Sequence, residues 1–171
     1  MYYFAYGSNM DSCRLWCRVQ QCRGEDYAVA ARKAANPERA ILSDYHLSFS
    51  KPARRNPTRE GYADIRPDAS GKVEGVVYAV QEDVLDILDC YERTYKRTSV
   101  TVTLPLSGQQ VQAVTYKGRK CEEGLRPSAQ YMWHLITGAT EHHLDTAWVD
   151  MLCRVETLNP PDAEDEQTCH H

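Results

Sequence analysis

The opening stretch Met1-Tyr2-Tyr3-Phe4-Ala5-Tyr6-Gly7-Ser8-Asn9-Met10-Asp11 limits what this chain can fold into more than any other. Its aromatic run suits a pleated, half-buried surface, and it stops abruptly at three turn-forming residues. Gly7 tolerates a positive φ, so a buried strand over residues 2–6 is predicted to end in a tight turn. Backbone N–H groups in such a turn can form a nest for an anion, especially where a helix begins next. Asn9 or Asp11 would cap that helix, which runs on through Leu15 and Val19. Taken alone, the pattern fits an ordinary strand–turn–helix corner better than a binding loop.

The rest of the chain alternates between strand and helix patterns. Residues 26–37 are alanine-rich and closed by Asn36-Pro37, which reads as a short helix. Strand character follows over 39–50, where Tyr45, Leu47 and Phe49 alternate with His46 and Ser48 and leave His46 on the wetter face. A proline-punctuated basic loop, 51–59, reads as a solvated surface or as a lid over an anionic group. Gly61-Tyr62-Ala63-Asp64-Ile65 is a short strand, and Asp68-Ala69-Ser70-Gly71 a turn into an apolar strand over 73–80. Val84, Leu85, Ile87, Leu88 and Tyr91 recur at helical spacing behind Glu82 and Asp83.

Residues 99–104 and 110–116 then form an antiparallel hairpin. Pro127 opens a helix carrying Met132, Trp133 and Ile136, with Gly138 breaking it. A last helix buries Leu144, Ala147, Trp148, Met151 and Leu152. Residues 1–158 are expected to form one domain, and 159–171 an acidic, proline-containing tail that ends in two histidines and carries no function. The fold class predicted is α+β.

Composition removes several classes of function. The net charge of −4, from 20 basic and 24 acidic residues, gives no electrostatic case for nucleic-acid binding. No run approaches the roughly 18 apolar residues of a membrane span, and no secretory leader is evident. Seven cysteines form an odd set without a paired framework, as suits a reducing, cytoplasmic setting. Cys13 and Cys17 share a helix face, but their spacing offers no four-ligand set, so no metal is expected.

Glu92 is the most telling acid, placed where an apolar helix gives way to a strand. A carboxylate emerging between core elements is a candidate for partial burial and general acid/base work, whereas a plainer reading pairs it with Arg93 or Arg97 at the surface.

Tyr-Phe-Ala-Tyr-Gly-Ser-Asn-Met at the N-terminus resembles the signature loop of the γ-glutamylcyclotransferases, in the branch that reads Tyr-Gly-Ser-Asn. Gly75-Val76-Val77-Tyr78 and Leu88-Asp89-Cys90-Tyr91-Glu92 are similar to that family's strand and catalytic-glutamate segment. The likeness takes in Gly61-Tyr62-Ala63-Asp64-Ile65, Tyr95 and Gln130-Tyr131, and weakens at 23–37 and beyond residue 140.

The resemblance implies an α+β fold with a small mixed sheet curled into a barrel and helices around it, and 5-oxoproline-forming cleavage of a γ-glutamyl amide without a cofactor. Glu92 would be the catalytic acid and base, Tyr6, Gly7, Ser8, Asn9 and Met10 the loop that binds the substrate, and Tyr95 and Tyr131 hydrogen-bonding partners of its glutamyl end. The expected partner is a small γ-glutamyl substrate, and self-association into a homodimer is left open. Two rivals share the fold: a binding or regulatory domain without turnover, and a cyclotransferase acting on a γ-glutamylated biosynthetic metabolite. The regions that would select the leaving amine are 23–37 and 51–59.

Overall fold

The computed structural model describes residues 1–53 and 59–158. Five strands close into a mixed barrel in the order β1-β3-β2-β4-β5, with helices packed around it, as the sequence predicts. Strand β1, Tyr2–Ala5, lies antiparallel to β3, Gly61–Ala79, and parallel to β5, Gln110–Gly118, so the turn after it leaves the barrel between two paired neighbours. The aromatic start of the chain is thereby buried: Phe4 is fully enclosed, and Tyr3, Ala5 and Tyr6 nearly so.

The expected hairpin is β4, Tyr95–Thr103, against β5, from Tyr95↔Gly118 to Thr103↔Gln110. Strand β2, Glu38–Pro52, lies along β3 for most of its length and meets β4 at Ile41↔Thr103 to complete the ring.

One turn signal proves to be a bulge. Asp68-Ala69-Ser70-Gly71 stays within β3, where the register jumps from Tyr45↔Pro67 to Ser43↔Lys72. Extra residues on β3 face only Asp44, at φ 63°, on β2. The Asp68 side chain takes up the local N–H by accepting from Ser70 N–H and from Ser70 Oγ–H at 3.1 and 3.0 Å. Turn-forming residues and a strand bulge use the same local chemistry, so the pattern did not distinguish them.

Helix α1, Ser12–Arg23, is capped by Asp11, whose carboxylate accepts from Arg14 N–H at 3.2 Å. It packs through Leu15, Trp16 and Val19. Helix α2, Glu25–Ala34, covers the alanine-rich segment, and α3, Glu82–Tyr91, buries Val84, Leu85, Ile87 and Leu88.

Helix α4 is Ala129–Glu141 with Ser128 as its cap, so Pro127 lies before the cap and not in the first turn. Gly138 does not break this helix. A β-carbon there would sit 2.3 Å from the Met10 carbonyl carbon and 2.4 Å from the Asp11 nitrogen, and the glycine exists for that close approach. Helix α5, Thr146–Cys153, buries Leu152 and half-buries Trp148 and Met151, but leaves Ala147 exposed, because the helix is short and only one side meets α4. The tail 159–171 and loop residues 54–58, including Arg54 and Arg55, fall outside the described residues.

Candidate active site

The end of β1, the start of α1 and the end of α3 meet around one cavity of about 240 Å³. Tyr6, Gly7, Ser8, Asn9, Glu92, Tyr95 and Tyr131, predicted from distant parts of the sequence, all line it. Met10 does not. It is fully buried, its N–H donates to the Gly7 carbonyl at 3.0 Å, and its carbonyl accepts from Tyr78 Oη–H at 3.0 Å. Met10 anchors the turn from beneath.

The turn itself departs from expectation in its backbone. Gly7 has φ −113°, so it does not use the left-handed region, and its lack of a side chain leaves room for the Tyr131 hydroxyl, 3.3 Å from where a β-carbon would lie. Ser8–Met10 forms a 3₁₀ turn closed by Met10 N–H to Gly7 O and Asp11 N–H to Ser8 O. Those bonds engage none of the Gly7, Ser8 and Asn9 N–H groups.

Glu92 is the C-cap of α3: its N–H donates to Leu88 O at 2.9 Å, while its carbonyl accepts from Tyr95 N–H at 2.8 Å. The helix end therefore fixes where the carboxylate leaves the backbone. Its side chain is 17% exposed, and its ion pair is neither of the neighbours considered from sequence. Arg97 is occupied by Glu82, Asp86 and Asp89, whereas Glu92 Oε1 meets Arg18 Nη1 at 3.1 Å. Asn9 joins them, its Oδ1 accepting from Arg18 at 2.8 Å and its Nδ2 donating to Tyr3 Oη at 2.9 Å and, more weakly, to Glu92 Oε1 at 3.5 Å.

Arg14, one helical turn before Arg18, also faces the cavity. Its Nε donates to Ser8 Oγ at 3.1 Å and its Nη1 lies 3.1 Å from His134 Nε2, while His134 Nδ1 is 2.6 Å from Asp11 Oδ2. The turn is thus braced from α1 and α4 together. Burial, and then the nearby Arg18 charge, push the Arg14 pKa down.

Lys51 adds another cationic side chain, almost wholly buried, with Nζ 5.4 and 5.2 Å from the Tyr62 and Tyr95 ring centroids. Arg14 and Arg18 were missed as site residues, although the spacing of two arginines four apart, directly after the turn, was visible in the sequence, whereas Lys51 opens the 51–59 segment read as a surface loop or a lid.

The tyrosines are held as neutral phenols. Burial is the main force raising the pKa of Tyr3, Tyr6, Tyr95 and Tyr131, with nearby carboxylate and phenol groups adding to it. Tyr6 donates to the Tyr116 carbonyl and Tyr95 to the Ala63 carbonyl at 2.9 Å, whereas Tyr131 accepts from Ala63 N–H at 3.1 Å.

Residues 23–37 contribute nothing to this cavity. Helix α2 instead borders a separate, mainly apolar cavity of about 170 Å³ between Trp16, Tyr27, Ala31 and Val84. The expectation that this segment shapes the leaving-group pocket is corrected accordingly. Tyr27 explains the displacement, since its hydroxyl donates to Asp83 Oδ2 at 2.5 Å and ties α2 to the far end of α3.

The fold is a γ-glutamyl cyclotransferase-like barrel. A solved structure titled gamma-glutamyl cyclotransferase superposes with a TM-score of 0.75 at 24% identity, over 95% of this chain and 90% of that one. An uncharacterized human protein is equally similar, with a TM-score of 0.75 at 24% identity over 94% and 90%. YkqA from Bacillus subtilis reaches 0.72 at 27% identity, over 90% of this chain and 53% of its own length.

In sequence, the model of the AIG2-like family matches residues 72–152, a span that holds Glu92, Tyr95 and Tyr131. No curated protein matches the sequence. The chain is thus similar to the AIG2-like family over residues 72–152 and shares the fold of the gamma-glutamyl cyclotransferase structure. No helix among the described residues is long and apolar enough to cross a membrane.

Proposed function

We propose that the protein is a γ-glutamylcyclotransferase that releases 5-oxoproline and a free amine or amino acid from a small γ-glutamyl amide. The observation that carries this reading is the shared cavity: the Glu92 carboxylate and the Gly7-Ser8-Asn9 turn line the same wall, within reach of one small molecule.

The substrate's α-amino group has a reference pKa of about 8, so near neutral pH it must lose a proton before it can attack. Glu92 takes that proton. The freed nitrogen forms a bond to the γ-carbonyl carbon, and Glu92 passes the first proton to the departing nitrogen as the old amide bond breaks; the second proton, which the attacking nitrogen sheds on becoming the lactam N–H, goes by the same carboxylate to the released amine, which leaves as its ammonium ion. The oxygen that gains charge during attack needs donors already in place. The N–H groups of Gly7, Ser8 and Asn9 suit it or the α-carboxylate, because the turn's own bonds leave them uncommitted.

Tyr131 accepts from Ala63 and so can donate onward to the glutamyl end, while Tyr95, whose hydrogen goes to Ala63 O, acts as wall and acceptor. Arg14 favours a ligand bearing carboxylate, whereas Arg18 is taken up by Glu92 and Asn9. With nucleophile and electrophile in one molecule, folding the substrate into a near-attack shape is the main task left to the cavity. The reaction is complete in protons and bonds without any cofactor, and the cytoplasm supplies the reducing setting that the cysteines suit.

A panel of γ-glutamyl amides with neutral, basic and acidic leaving groups, assayed for 5-oxoproline, tests the reading. Release from at least one class is expected. No release from any member, with the protein folded, would refute it and leave the binding-domain alternative.

A further inference from the structure

The two oxygens of Glu92 are not equivalent. Oε1 faces Arg18 Nη1 at 3.1 Å and Asn9 Nδ2 at 3.5 Å, whereas among the described residues no donor meets Oε2. Neither partner is free to swing away. Arg18 is held by Asn9 Oδ1 at 2.8 Å, its guanidinium lies 4.9 Å from the Tyr91 ring centroid, and its side chain is only 16% exposed. The Asn9 amide has its oxygen committed to Arg18 and its nitrogen to Tyr3, so its orientation is set from both ends. Tyr91, in turn, is pinned to α1 by donating to Gln21 Oε1 at 3.0 Å.

We propose that Arg18 and Asn9 are positioning residues that occupy Oε1 of Glu92 and leave Oε2 as the oxygen that exchanges the substrate's proton. The proposal rests on the cyclotransferase reading and adds to it how the base is aimed. A carboxylate at a helix end can rotate about its last bonds. Fixing one oxygen with two donors from the opposite side of the cavity removes that rotation and presents the other oxygen in one direction. The arrangement also explains why the turn carries an amide at position 9: its oxygen accepts from Arg18 while its nitrogen donates toward Glu92 Oε1, where an aspartate would set a second carboxylate against the first. Aspartate would lack the donor and alanine both groups.

Because Arg18 works through Glu92, its loss should matter only while Glu92 does. The experiment is a double-mutant cycle on the full-length protein, with Arg18→Met, Glu92→Gln and the pair, reading kcat and KM for 5-oxoproline release from the best substrate of the panel. Arg18→Met is expected to lower kcat about 10²-fold, as for a reacting group misplaced by roughly 1 Å, with KM changed less than about threefold. In the Glu92→Gln background the same substitution should cost almost nothing more.

Arg18→Lys, which keeps the charge but carries it on a flexible ammonium without the planar guanidinium that lies by the Tyr91 ring, should fall between wild type and Arg18→Met, and it serves if the methionine variant does not fold. Equal losses in both backgrounds, or a loss confined to KM, would show that Arg18 binds substrate or merely supports the fold, and would overturn the proposal. A folded wild type that releases no 5-oxoproline would instead defeat the reaction itself.

Discussion

At the scale of single residues, what distinguishes this site is the contrast between similar side chains. Glu92 and Glu74 are both enclosed carboxylates, but Glu74 accepts from Arg39 in a two-point pair and from the Asp145 N–H, which makes it a structural tie with no open side. Glu92 lines a cavity, and among the described residues only its Oε1 is engaged, by Arg18 and Asn9. His134 and His142 differ in the same way. His134 braces Arg14, while His142 packs against Tyr78, with Nε2 3.0 Å from the Tyr78 hydroxyl and 3.2 Å from Ser12 Oγ.

Burial pushes the His142 pKa below its ordinary 6.5, only partly offset by the Glu141 charge. The folded state thus binds a proton less readily than the unfolded chain, so the stability from neutral His142 is present above about pH 6.5 and is lost as pH falls through the depressed value. Thermal melts at neutral and mildly acidic pH should show that loss in the wild type and a smaller one in His142→Gln. An unchanged acid response in the variant would place the sensitivity in other groups.

At the scale of elements, helix α4 seated on the Ser8–Met10 turn matters most. Gly138→Ala would put a methyl group against the Met10 and Asp11 backbone, where it has nothing flexible to displace. Overpacking of this kind costs about 1–3 kcal/mol, and because it pushes on the turn it should lower turnover as well. A melt and a 5-oxoproline assay on the variant check both effects, and wild-type behaviour in both would contradict the close approach.

The same glycine shows where sequence reading failed. Within α4 it looked like a stop signal, because the partner that demands it is over a hundred residues away and invisible to local pattern. The Asp68-Ala69-Ser70-Gly71 bulge was misread as a turn for a related reason, since both place polar residues where the ladder is interrupted. Elements with a strong period of their own, such as α3 and the β4–β5 pair, were legible. The loop and Glu92 were legible only through their resemblance to a family. The Arg18–Glu92 pair was not, since it joins α1 to α3 across a gap that no spacing rule spans.

At the scale of the whole molecule, the barrel explains why residues so far apart share one cavity. Strand β1 is flanked by β3 and β5, so its exit turn opens at an end of the barrel where β3 brings Ala63 and β5 brings Tyr116 to the same cavity. Helices α1, α3 and α4 then converge on that opening with Arg14, Glu92 and Tyr131. The α2 segment that departs from the family likeness sits elsewhere, which turns attention for leaving-group choice to the neighbourhood of Lys51.

The central claim is that Glu92 moves both protons of a cyclisation in this cavity. Glu92→Gln keeps the shape of the side chain but cannot accept a proton, so bound substrate would remain an unreactive ammonium ion. The direct measurement is kcat for 5-oxoproline release by folded Glu92→Gln, with substrate-induced thermal stabilisation confirming that binding survives. The account predicts a loss toward the upper end of about 10²–10⁴-fold with binding retained, whereas more than about a tenth of wild-type turnover would contradict it.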